Sequence, residues 1–224
     1  FTEMSDSINR LEDHVASARM KTTPVIDFEK NESLKGLDYL DTIYHAIVNE
    51  HPIQLKYRSF KARSANSFIF YPYLLKEYRN RWFVYGVRGN GRILQNLALD
   101  RIQSLEVLPQ EHYIKNTFFD PNTFFDDLVG VTKNTGSVAE KVGFKVAAAE
   151  APYIITKPIH RSQQVMERLA DGSVILEIEV VINHELERVF FGYAEGIQVL
   201  YPKTLVELMG RKLKKAAEQY THSK

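Results

Sequence analysis

The sequence predicts an α+β protein in two parts, a small and strongly bent β-sheet or barrel followed by a βαββαβ unit of the ferredoxin-like pattern. Three observations carry this. From Ile53 to Leu108, apolar and polar residues alternate in five short runs separated by turn residues. From about Val138 onward, strand-like and helix-like runs take turns. Ahead of both parts the apolar spacing is helical.

Ile8, Leu11, Val15 and Ala18 fall at helical spacing over Ser5 to Met20, and Ser5 or Ser7 can cap the start. Lys21 to Lys35 is polar, contains Pro24 and reads as a linker, so residues 1–36 form a helical linker region. A second helix is expected from Leu37 to Asn49, with Leu37, Leu40, Tyr44, Ile47 and Val48 as its apolar face and Pro52 limiting its continuation. Ile53, Leu55 and Tyr57 then alternate with Gln54, Lys56 and Arg58, the pattern of a half-buried strand. Further strands are expected at Ser67 to Tyr73, Arg81 to Val87, Arg92 to Ala98 and Ile102 to Leu108, with Arg88-Gly89-Asn90-Gly91 as a hairpin turn. Within the third strand, Trp82 and Val84 share one face, while Arg81, Phe83 and Tyr85 share the other. Trp82 is assigned to the core, which leaves Arg81 and Phe83 at the surface with Arg79 just before them.

Gln110 to Ser137 is a connector, and its Phe118, Phe119, Phe124 and Phe125 are expected to pack against another element. Strands are then expected at Lys141 to Ala147, Gln163 to Leu169, Ser173 to Ile182 and Ile197 to Tyr201. Helices are expected at Ala151 to Thr156, Glu185 to Gly192 and Thr204 to Gln219. The domain division is therefore 1–36, 37–110, 111–137 and 138–224.

The chain has no cysteine, which excludes disulfides, thiolate metal sites and cysteine nucleophiles and fits a cytoplasmic location. It shows neither a signal peptide nor an apolar run of membrane-spanning length. It begins at Phe1, which reads as a fragment preceded by further sequence. The histidines form no zinc pattern, and His184-Glu185 lacks a second histidine four residues on, so a capping or surface role is expected there. No phosphate-binding loop ends in Gly-Lys-Ser/Thr, Gly89-x-Gly91 lacks the third glycine of a dinucleotide fingerprint, and Asp126-Asp127 need not converge. No enzyme activity, metal or cofactor is expected.

Charge is more informative. From Ile53 to Leu105 there are ten Lys and Arg against Glu77 and Asp100, which is +8, while the whole chain is +1 and the remainder therefore −7. The same segment holds ten aromatics. Cations neutralise phosphates and aromatic faces stack on unpaired bases, so this region is expected to meet an anion. The other reading is that the aromatics form core and the cations solvate strand faces. Asp100 and Arg101 could equally form a local ion pair.

Arg81-Trp82-Phe83-Val84 resembles the Trp-Tyr-Leu signature of bacterial WYL domains, with Phe83 for Tyr and Val84 for Leu. Leu55-Lys56-Tyr57 resembles the family's first strand, Tyr71-Pro72-Tyr73-Leu74-Leu75 its Pro-x-x-Leu element, and Leu99-Asp100-Arg101-Ile102 its Leu-Asp-Arg-Ile ending. Lys157 to Gln163 and Val199 to Leu205 resemble the C-terminal extension that often follows a WYL domain. The resemblance implies an Sm-like or SH3-like β-barrel, then a ferredoxin-like domain, in a transcriptional regulator whose helix-turn-helix lies upstream of Phe1. It implies a ligand-sensing role, with single-stranded nucleic acid or a nucleotide-like anion as effector. Carried over residue by residue, the implied ligand-binding residues are Tyr57, Ser59, Arg79, Arg81, Phe83 and Arg101. Phe68 or a neighbour stands where many members place an arginine before Pro72, and His160 and Ser162 are expected to stabilise a turn. Promoter DNA would be reached through the upstream domain, and a homodimer is expected because such regulators read paired half-sites. The alternative is an assembly module that dimerises the regulator and binds no specific ligand.

Overall fold

The computed structural model describes residues 35–89, 91 and 93–221, which include one compact unit beginning at Lys35. The expected helix at Ser5 to Met20 and its linker lie outside the described residues. Two antiparallel sheets and their helices make up an α+β fold.

The first sheet comprises β1 (Ile53–Tyr57), β2 (Asn66–Tyr78), β3 (Arg81–Arg88), β4 (Gln95–Ala98) and β5 (Ile102–Val107), in the order β4-β3-β2-β1-β5. Its edge strands β4 and β5 are joined by a single 3-10 turn, Leu99–Arg101. The edges of a flat five-stranded sheet stand about 19 Å apart. So short a link reaches about 14 Å at most. The sheet must therefore curl until its edges approach, although among the described residues no ladder joins them. Helix α1 (Leu40–Val48) packs against this sheet, where Ile43 and Ala46 join Ile53, Leu55, Phe70, Val84 and Leu99 in one core.

Gly36 sits against the Leu99–Arg101 turn at φ 86°, where an added Cβ would lie 2.4 Å from the Leu99 carbonyl oxygen. Only glycine fits that approach.

Three details differ from the expectation. Leu37, Tyr44 and Val48 are exposed, and α1 buries Ile43 and Ala46 instead. Adjacent stripes of the helix are both apolar, and packing selected the one that faces the sheet. Strand β2 runs on to Tyr78 because a register shift between Pro72 and Leu74 absorbs the proline, which has no N–H to give the ladder. Strand β4 is shorter than expected and starts at Gln95; Asn90 and Arg92 of the hairpin lie outside the described residues.

The connector aromatics do find a partner. Phe119, Phe124 and Phe125 surround Tyr85 with ring centroids 5.3–6.2 Å away, and Phe118 stacks on Tyr73. The Tyr85 hydroxyl donates to the Val131 carbonyl, which also accepts from Asn96 Nδ2 at 2.7 Å. Burial pushes the Tyr73 phenol up to about 12 and raises that of Tyr85 as well.

The second sheet comprises β6 (Glu140–Val146), β7 (Gln164–Arg168), β8 (Val174–Val180) and β9 (Ile197–Tyr201), in the order β7-β8-β6-β9 with every neighbour antiparallel. Helix α2 (Ala151–Thr156) follows β6, α3 (His184–Phe191) follows β8, and α4 (Lys203–Thr221) follows β9. Val142, Phe144, Val146, Leu176, Ile178 and Val180 pack with Ile154, Leu186, Phe190, Leu205 and Met209. Period-two strands and period-3.6 helices thus meet on a single apolar layer. On the other face, Lys141 and Tyr201 both reach Glu177.

His184 takes no capping role. Asn183 caps α3 by accepting from Leu186 N–H at 2.9 Å. Glu185 is buried and bonds to Thr132 Oγ1 at 2.7 Å, so the surface expectation holds for His184 alone.

Candidate anion-binding site

The curl of the first sheet sets the geometry of the basic residues. Phe83 pairs with Ala98 across the β3–β4 ladder, so the turn that follows Ala98 brings Asp100 beside Arg81. Arg81 Nε lies 3.3 Å from Asp100 Oδ2, and Arg101 Nε lies 3.8 Å from Asp100 Oδ1. Two guanidinium groups thus converge on one carboxylate and leave a net positive charge. Arg81 keeps 46% of its side chain exposed, so its remaining N–H groups are open to a ligand.

Tyr57 closes β1 beside the same turn. Burial raises its phenol pKa, opposed by the charge of Arg101 and by hydrogen bonds to Ala98 and Arg101. Arg101 also lays its guanidinium on the ring of Phe60, 4.4 Å from the centroid. Arg58 N–H donates to the Arg101 carbonyl at 3.1 Å, which ties the β1–β2 loop to the turn.

Arg79 and Asn80 form the β2–β3 turn with φ of 50° and 59°. Both central positions of such a turn need positive φ, and Asn-Gly is the usual solution. An arginine there is strained backbone. Its guanidinium lies 5.5 Å from the ring of Tyr78, the cross-strand partner of Arg81.

The structure therefore brings Arg81 and Arg101 together on Asp100, sets Tyr57 beside Arg101, and places Arg79 over the partner of Arg81. Ser59 lies in the β1–β2 loop, where its carbonyl accepts from Ala62 N–H at 3.0 Å. Phe83 differs from the surface expectation. It is half-buried and shares a strand face with Tyr85, which the connector covers. Its partner Lys76 sits 4.7 Å from the Phe125 ring. The four connector phenylalanines were the signal that this face is covered. Trp82 is half-buried against the first core, on the side of Val84, as its alternation indicates.

Sequence reasoning counted Phe60 only among the ten aromatics of the basic segment and did not include it in the implied site. It also left open the pairing of Asp100, which depends on strand curvature.

Two shallow cavities lie elsewhere. One, of about 340 Å³, runs between the β4 edge and residues 131–135. The other, of about 450 Å³, is lined by Asp126, Asp127, His160, Arg161, Ser162 and Glu179. The polar groups of the second are already paired: Arg161 holds Asp126 at 2.7 Å, His160 Nδ1 lies 2.7 Å from Ser162 Oγ, and Lys133 holds Asp127 at 2.8 Å. Among the described residues, no group of three or more His, Asp or Glu could hold a metal ion, and no helix is long and apolar enough to cross a membrane.

Comparison with known proteins matches residues 38–107 to the WYL domain and residues 139–217 to the WCX domain. No curated protein matches the chain. Among solved structures, proteasome accessory factor B/C (PafBC) of Arthrobacter aurescens is 16% identical, with 91% of this chain and 30% of that one covered at a TM-score of 0.34. A structure described as a CRISPR Cas-related protein is 13% identical, with 81% and 50% covered at a TM-score of 0.47. The chain thus spans 30% and 50% of those two lengths, and overlaps this loose add nothing to the assignment. On the two domain matches, which follow one another in order along the sequence, the chain is a WYL-domain protein in which a WCX domain follows the WYL domain.

Proposed function

We propose that this chain is the effector-sensing region of its regulator and that the first sheet binds a phosphate-bearing ligand, single-stranded nucleic acid or a nucleotide-like anion. The convergence of Arg81 and Arg101 on one carboxylate carries this reading. Arg79 adds a third cation on a strained turn, and Tyr57 supplies a phenol at the same place. Phe83, half-buried, would act by supporting Arg81 from the next position on its strand face. Ser59 would contribute a hydroxyl from the loop. We read the curled five-stranded sheet as the Sm-like barrel of the WYL domain and the β7-β8-β6-β9 sheet as the ferredoxin-like domain, with residues 37–110 and 138–224 as the two domains. Effector binding alters promoter affinity only if it favours one arrangement of the regulator over another. Promoter contact would fall to a DNA-reading element outside the two matched domains.

The test is titration of the chain with a short single-stranded oligonucleotide and with mononucleotides across a salt series. Arg81→Ala or Arg101→Ala should each weaken oligonucleotide binding by about tenfold, the loss of one charge-assisted hydrogen bond. Each should also flatten the salt slope by about 0.7. Arg79→Ala should act in the same direction. Arg88→Ala serves as the control, because Arg88 ends β3 at the opposite end of the strand from Arg81, beside the hairpin. Equal weakening by all four would mean diffuse attraction and no defined site. Saturation by mononucleotides would favour the small effector.

A second reading, self-association of the regulator, draws on α4. Leu213 and Tyr220 are exposed on its C-terminal half, with Ala216 and Ala217 at helical spacing between them. Sedimentation of Leu213→Glu against the parent tests it.

A further inference from the structure

We propose that Phe60 is a base-stacking residue and that the β1–β2 loop presents it to one nucleobase of a single-stranded nucleic acid. The inference rests on the reading of Arg81 and Arg101 as phosphate ligands, and it specifies the ligand as a strand that carries bases. Phe60 is 75% exposed, an unfavourable position for a large apolar ring that has no partner to meet. The loop holds it there by design of its backbone. Ala62 N–H donates to the Ser59 carbonyl at 3.0 Å, closing a tight turn with Phe60 and Lys61 at its tip. One face of the ring carries the Arg101 guanidinium, and the exposure leaves the rest of the ring to solvent.

The surroundings select the partner. Arg58, Lys61 and Arg63 are exposed, and among the described residues none of them takes part in an ion pair. No Asp or Glu occurs from Ile53 to Lys76. An exposed aromatic flanked along the loop by cations that are unpaired among the described residues suits a polyanion with flat apolar faces, which is what a single strand offers. An apolar protein surface would have to desolvate those cations, and Asp100, the acid beside Arg101, is already shared with Arg81. The tie from Arg58 to the Arg101 carbonyl keeps the platform in register with the phosphate-binding turn.

The experiment compares a short thymidylate oligonucleotide with an abasic deoxyribose-phosphate strand of equal length, titrated into the parent chain, Phe60→Ala, Phe60→Trp and Arg101→Ala. Phe60→Ala should weaken thymidylate binding by about five- to a hundredfold, as for one lost stacked base, and leave the abasic strand and the melting temperature unchanged. Phe60→Trp should restore binding, with quenching of its fluorescence on addition of thymidylate. Arg101→Ala should weaken both strands. If Phe60→Ala weakens both strands equally, the ring only positions Arg101 and the proposal is overturned. If thymidylate binding is indifferent to Phe60→Ala while Arg101→Ala still abolishes it, the stacking proposal fails and the arginine reading stands. If the parent binds neither strand, both fail.

Discussion

Arg81 holds its Nε 3.3 Å from Oδ2 of Asp100, so this arginine reaches the candidate site already matched to an acid. An incoming phosphate must compete with the carboxylate. That arrangement restrains the guanidinium fork before binding, and it also lowers the attraction for anions.

Asp100→Asn should therefore raise affinity for a single-stranded oligonucleotide several-fold at low salt and steepen its salt dependence. The stability cost should be about 1–3 kcal/mol, because Arg81 is half exposed but Asp100 keeps only 17% of its side-chain surface and Arg101 only 26%. Salt-dependent titration beside thermal melting measures both. Loss of binding in the variant would show that Asp100 orients the arginines and does not compete for them.

Trp82→Ala should damage folding more than recognition. The indole packs against the first core beside Val84 while remaining half-buried, so the loss should be about 2–3 kcal/mol, below that of a fully buried Trp. Denaturant unfolding gives the value. A variant that melts like the parent would invert the face assignment of β3.

Gly143 and Tyr201 offer a double-mutant test of the second sheet. The Tyr201 ring occupies the space above Gly143, where an added Cβ would lie 2.1 Å from Cζ. The Tyr201 hydroxyl donates to Glu177 Oε2 at 2.7 Å. Gly143→Ala must expel the ring and break that bond, at a cost of about 1–3 kcal/mol. In the Tyr201→Ala background the same substitution should cost much less, since the space is then free. Additive losses would mean that the ring does not fill this site.

His160 should make stability sensitive to pH. Ser162 N–H donates to Nδ1 at 3.2 Å, which requires that nitrogen to be unprotonated. Burial holds the imidazole below its ordinary pKa, opposed in part by the backbone bond to Asp126. The unfolded chain therefore binds the proton more readily than the folded one. The stability contribution is present above about pH 6.5 and is lost as pH falls through the depressed folded value. Melting temperatures of the parent should drop relative to His160→Gln as pH falls below about 6.5. Parallel curves would show that the ring is solvated.

Much of this protein was legible in its residues. The alternation of Ile53, Leu55 and Tyr57, the apolar run Val174 to Val180 and the boundaries of Ala151–Thr156 follow from side-chain periodicity and turn chemistry, which act over a few positions. The basic, aromatic character of Ile53 to Leu105 is a property of composition, and the short motifs around Trp82 and Asp100 pointed to the WYL family that the domain matches show. What the tertiary structure alone decided is which groups meet. Asp100 reaches both Arg81 and Arg101 because three residues must link the two edges of a curled sheet. Phe83 lost its open face because Tyr85, two residues on, anchors the connector through Val131, 46 positions away. Ile43 was buried in place of Tyr44 because the sheet, and not the helix, chose between two apolar stripes. Local pattern sets which side of an element is apolar, whereas long-range contacts, closed at the entropic cost of the intervening chain, set what that side touches.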